Sequence, residues 1–150
     1  AFPPPDQVIV RKTGDVIEFS VPVVSEGAGD RLVGMLLLDV GGPIDFGILA
    51  QGYASASTLD DLNRKPTLSP YVVNSFLTPG CHRFTLMVSH DFADSGCPVD
   101  LSDSSSLTWI VMVCKPGDVC PPTIDPSVDC NPPQATKLCP QNGEGDGGPS

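Results

Sequence analysis

The chain has 150 residues and a formal net charge of −10, with eight Lys and Arg against eighteen Asp and Glu. That length supports one domain with a real hydrophobic core. The acidic balance excludes nucleic-acid binding, because no Lys/Arg patch exists to displace phosphate counterions, and seventeen prolines with fifteen glycines exclude a helical protein in favour of an all-β chain rich in turns.

Residues 1–7, "AFPPPDQ", form a polyproline-like arm that reads as a mature or trimmed N-terminus. "QVIVRK" follows as a short strand, expected at a sheet edge. "DVIEFSVPVV" alternates, placing Ile17, Phe19, Val21 and Val23 on one face. Pro22 removes a ladder donor there, so the strand is expected to be an edge or to be bulged. "SEGAGD" is a turn. "RLVGMLLLDV" is apolar on both faces in its second half, which predicts a central strand. "IDFGILAQGYASAS" reads as an irregular strand, and "STLDDLNRK" as one helical turn capped by Ser57 or Thr58, with Asp60 and Asp61 in its first turn. "PYVVNSFL", "HRFTLMVSH" and "SLTWIVMVC" complete seven or eight strands over residues 8–114. Residues 115–150 hold eight of the seventeen prolines and no aromatic residue, so this tail builds no core of its own. Strands of this number and spacing predict a two-sheet antiparallel sandwich of immunoglobulin type.

Six cysteines, Cys81, Cys97, Cys114, Cys120, Cys130 and Cys139, are spaced by 16, 17, 6, 10 and 9 residues. No C-x2-C pair announces zinc, and an even count at these spacings reads as disulfides made in an oxidising compartment. No transmembrane segment is present in the sequence. The cysteines imply export, with a signal of secretory or lipoprotein type expected to be removed from the precursor.

Strand parity orders the segment "PGCHRFTLMV". His82, Phe84, Leu86 and Val88 share the core face, while Cys81, Arg83, Thr85 and Met87 take the other. His82 therefore points inward beside an outward Cys81, which argues against a His–Cys metal site. This segment resembles the penultimate strand of PKD-type and related immunoglobulin-like domains, P-G-x-Y/H-x-V-x-L-x-V. "LLDVGG", Leu37 to Gly42, is similar to their W-D-F-G-D-G motif without the tryptophan and second aspartate. The resemblance spans about 16 residues of the chain. It implies an extracellular module of bacterial surface or secreted proteins in which His82 replaces the corner tyrosine and bonds nearby backbone.

Candidate sites follow. His90 and Asp91 are neighbours, yet no G-x-S-x-G elbow or comparable nucleophile signal accompanies them, so no catalytic residue, cofactor or enzyme activity is expected. Trp109 shares a face with Leu107, Val111 and Val113 and is expected in the core. The loop "HDFADSGCPVDLSDSSS" gathers Asp91, Asp94, Asp100 and Asp103, hard oxygen donors that make calcium the candidate ion, although the spacing fits no EF-hand. Solvated acidic residues are the plainer reading, and the loop is the first choice for an interaction surface.

Taken together, the sequence predicts a non-enzymatic extracellular or cell-surface module with a structural or adhesive role, self-associating or binding envelope proteins. One alternative is a calcium-dependent or carbohydrate-binding domain that uses the Asp91–Asp103 loop. Another is an assembly subunit whose N-terminal arm adds a strand to a neighbour's edge. For the cysteines, parity predicts a Cys81–Cys114 bridge across the last hairpin, Cys97 joined to a tail cysteine, and the third bridge within the tail. The competing scheme pairs Cys114 with Cys120 and sends Cys81 elsewhere.

Overall fold

The computed structural model describes residues 3–25, 29–39, 47–56, 63–64, 71–72, 77–94, 96–115, 117, 119–120 and 139. Their regular structure is strands, with one 3-10 turn at Leu101–Asp103. In chain order the strands are β1 (Ile9–Arg11), β2 (Val16–Ile17), β3 (Val23–Val24), β4 (Leu32–Leu38), β5 (Gly47–Ala54), β6 (Asn63–Arg64), β7 (Tyr71–Val72), β8 (Gly80–Ser89) and β9 (Ser104–Val113).

Five of them form a mixed sheet in the order β1-β9-β8-β4-β5, in which β1 runs parallel to β9 and the other pairs are antiparallel. The expected edge position of "QVIVRK" is therefore occupied by β1. The apolar "LVGMLLL" run is central, and all seven of its residues are buried. Two short antiparallel pairs, β2 with β7 and β3 with β6, carry the remaining strands. From Ile17 to Val23 is six residues, and their partners Tyr71 and Arg64 lie seven apart, so the two ladders nearly share one register. Pro22 lies in the gap between β2 and β3, as its missing donor requires.

The segment 16–24 crosses one face of the sheet by the expected alternation. Ile17 and Phe19 are buried in the main core, with Val21 and Val23 packed against it. Phe19 stacks on Phe84 at 5.5 Å and tilts against Trp109 at 4.7 Å between ring centroids. Trp109 is fully buried, and its indole N–H donates to the Pro3 carbonyl at 2.6 Å, so the start of the arm is tied to the core. Leu107, Trp109, Val111 and Val113 lie on the same core face, as periodicity predicts.

The opposite face is not left to solvent. Val33, Met35, Leu37 and Met87 form a second buried cluster together with Cys139, and Phe92, Cys97 and Leu101 pack on it. The acidic loop and the tail cysteine therefore cover this face. Met87, expected on the outward face, is consequently buried, and Thr85 on the same face is buried as well.

Three expectations are corrected. Asn63–Arg64, placed in a helical turn by the sequence, is strand β6, because pairing with Val23 and Val24 overrides a weak local cap signal. Residues 57–62 and 65 of that turn lie outside the described residues. The Cys81–Cys114 bridge does not form. The β8–β9 register sets Met112 opposite Cys81 and Val113 opposite Gly80. Cys114 is thus displaced by two residues along the hairpin, a slip that preserves parity and so escapes a parity argument. Cys114 bonds Cys120 instead, and Cys81 is disulfide-bonded elsewhere. With Cys120 and Cys139 both engaged outside the tail, the third bridge is not the within-tail bridge expected. The expected clasp between Cys97 and the tail is present as Cys97–Cys139, closing a separation of 42 residues.

Candidate functional site

Two histidine–aspartate pairs organise the opposite ends of β8. At its start, Gly80 adopts a φ of +138°, open to glycine, and turns the chain so that His82 enters the core. Its Nε2 lies 2.7 Å from the Thr78 carbonyl, four residues upstream, and its Nδ1 lies 2.6 Å from Asp39 Oδ2. Both partners are acceptors, an arrangement that favours the protonated ring, in which both nitrogens donate. Burial alone pulls the His82 pKa down. The bonds to Asp39 and Thr78 and the Asp39 charge outweigh it, and the net shift is upward from 6.5. Asp39, just past β4, has a φ of 47°, a left-handed conformation that Asp tolerates. Its other carboxylate oxygen accepts the Arg83 N–H at 2.7 Å, and its own N–H donates to the Arg83 carbonyl at 2.9 Å. This corner locks β4 to β8 and is architecture: the two side chains are only 7% and 9% exposed.

Between β8 and β9, the acidic loop uses three of its four singled-out carboxylates internally. Asp91 accepts the Phe92 N–H at 2.9 Å. Asp100 caps the 3-10 turn by accepting the Ser102 N–H at 2.8 Å and the Ser102 hydroxyl at 2.7 Å. Those two bonds, the hydroxyl first, lower its pKa. Asp103 binds His90. Asp94 is exposed. Backbone bonds Ala93 N–H to Cys97 O, Gly96 N–H to Ala93 O and Val99 N–H to Asp91 O, with a Phe92–Pro98 bridge, fold the loop onto itself. Among the described residues no group of three or more His, Cys, Asp or Glu is gathered to hold a metal ion.

The pair at the far end of β8 was not foreseen. His90 does not engage its neighbour Asp91. Its Nδ1 lies 2.6 Å from Asp103 Oδ2, thirteen residues on, where the loop has returned to start β9. Its Nε2 lies 3.4 Å from the hydroxyl of Ser25, just past β3 and 65 residues away. With Nδ1–H directed at the Asp103 carboxylate, the neutral ring presents Nε2 as an acceptor to the Ser25 hydroxyl. These three residues line an open cavity of about 240 Å³, walled by Val23, Val24, Leu32 and Val88. Nothing in the sequence links Ser25 to His90, because only the packing of the 16–24 segment across the sheet brings them together. The 13-residue spacing of His90 and Asp103 is a hairpin-loop signal that alternation alone cannot decode.

No helix among the described residues is long and apolar enough to cross a membrane. Two disulfides among described cysteines, with Cys81 bonded as well, point to folding in an oxidising environment. Comparison with family models, with curated proteins and with solved structures finds no match to this chain.

Proposed function

We propose that the chain is an extracellular or surface-held immunoglobulin-like sandwich module whose role is structural or adhesive, presenting the 90–103 loop to a partner protein of the cell envelope. Support for the immunoglobulin-like arrangement comes from three features. β1 runs parallel to the last strand, the β2–β3 segment lies across the sheet, and His82 bonds back to Thr78 in the manner of the corner tyrosine.

The single observation that carries the functional reading is the pre-organisation of the acidic loop. It is clasped by Cys97–Cys139, anchored by Phe92 and Leu101 on the second core, and crossed by its own backbone bonds. A loop already ordered loses little conformational entropy on binding. It exposes Val99, an apolar contact 53% accessible, and carries the exposed residues Asp94 and Asp100 in the same loop. That surface suits a partner with a cationic face around an apolar pocket, and it disfavours a loop-to-loop contact between copies, since like charges repel.

The test is binding of solubilised envelope proteins to the immobilised chain on a biosensor. Binding that weakens with salt and is lost in the Asp94→Lys/Val99→Asp chain supports the reading. No binding by the native chain, or equal binding by the double variant, sinks it.

A further inference from the structure

We infer that Ser25, His90 and Asp103 form a nucleophile–base–orienter triad that attacks small carboxylic esters, an activity additional to the loop-display role. Three observations meet at this point. The spacing is that of such a set: Ser25 Oγ to His90 Nε2 is 3.4 Å and His90 Nδ1 to Asp103 Oδ2 is 2.6 Å. The base is held from two sides, because Asp103 Oδ2 also receives the His90 backbone N–H at 3.4 Å. The set opens on a cavity rather than on packed protein, and Ser25 lines that cavity although it is only 8% exposed overall.

The structural alternative is a buried serine satisfied by a loop histidine. It accounts for the hydrogen bonds but gives no reason for the adjoining cavity. In contrast to His82, whose two ring nitrogens both meet fixed acceptors, His90 faces a hydroxyl with Nε2, the arrangement in which imidazole acts as a base. Val23, Val24, Leu32 and Val88 offer an apolar wall for a short acyl chain, and Ser105, which lines the cavity with Ser102 and Ser104, brings a hydroxyl donor for the oxygen of a tetrahedral adduct.

The step balances with water as the only co-reactant. Ser25 Oγ bonds to the ester carbonyl carbon while its proton passes to His90 Nε2. The carbon–alkoxide bond then breaks, and His90 returns the proton to the departing alcohol. Water, deprotonated by the same nitrogen, attacks the acyl-serine, and collapse releases the carboxylic acid and restores the Ser25 hydroxyl.

A fluorophosphonate reporter tests this on the full, oxidised chain, because such a probe forms a stable covalent bond only with an activated hydroxyl. The expected result is one adduct per chain, mapped by peptide mass spectrometry to Ser25. Labelling is expected to vanish in Ser25→Ala and to slow by about 10²-fold or more in His90→Gln, the range a general base supplies. Circular dichroism of each variant confirms the fold. Because adduct mapping on the native chain is decisive by itself, a variant that fails to fold does not rescue the idea. No adduct, an adduct on another residue, or an unchanged rate in folded His90→Gln overturns the triad and leaves the loop-display reading standing.

Discussion

Replacing His82 with alanine removes a buried polar group that is hydrogen-bonded at both ring nitrogens. Two hydrogen bonds, of 2.6 and 2.7 Å, disappear, and the 9%-exposed Asp39 carboxylate keeps, among the described residues, only the Arg83 N–H as a donor. Stranding a buried charge in this way costs about 3–5 kcal/mol, well beyond the ~1 kcal/mol of an ordinary hydrogen bond. The pH dependence has a definite sign. The folded pKa of His82 lies above its ordinary value of 6.5. Its contribution is therefore complete below pH 6.5 and is lost as pH rises through the folded value. Asp39→Asn is the control. Asn also tolerates the left-handed backbone and still accepts the Arg83 N–H, but it carries no charge, so the alkaline loss of stability should shrink. Urea unfolding of native, His82→Ala, Asp39→Asn and double-variant chains between about pH 5 and 9 measures all of this. A His82→Ala cost below about 1 kcal/mol, or an alkaline slope unchanged in Asp39→Asn, refutes the buried ion pair.

Four further outcomes are expected. Peptide mapping without reduction should recover Cys97–Cys139 and Cys114–Cys120; removing the first by serine substitution should cost about 4 kcal/mol and the second about 2, from the chain entropy of loops of 42 and 6 residues. Trp109→Phe should lose about 1–3 kcal/mol in thermal unfolding, since it orphans the Pro3 carbonyl, and deleting residues 1–5 should add little to that variant. Acidification should loosen the loop at Ser102, because the Asp100 cap is present above its ordinary pKa of 3.8 and is lost as pH falls through the lower folded value; exchange of the Ser102 amide reports it. Added calcium should leave the melting temperature unchanged, and a rise abolished by Asp94→Asn with Asp100→Asn would instead make the loop a metal site.

Much of the architecture was readable from alternation. Ile17, Phe19, Val21 and Val23 on one face, and His82, Phe84, Leu86 and Val88 on another, followed from a period of two and a buried sheet. The all-apolar β4 announced its central place for the same reason. Register was less legible. Moving β9 by two residues against β8 leaves every side chain on its face, so inward Trp109 was foreseeable while Met112 opposite Cys81 was not. The candidate site was less legible still. Asp39 was visible only as part of a motif, and its pairing with His82 depends on how β4 aligns with β8. Ser25, His90 and Asp103 meet only because the 16–24 segment packs on the five-stranded sheet, and no local pattern encodes that contact. The covering of the second sheet face by Phe92, Leu101 and Cys139 was equally hidden, because it requires the clasp to be closed.

Pre-organisation of the 90–103 loop carries the functional reading, and amide hydrogen exchange measures it directly. The Ala93, Gly96 and Val99 amides donate within the loop at 2.8, 2.9 and 3.2 Å, so they should be protected in the oxidised chain. In the Cys97→Ser/Cys139→Ser chain they should exchange freely while β8 and β9 amides stay protected. Free exchange at these three positions in the intact, oxidised chain would contradict the account.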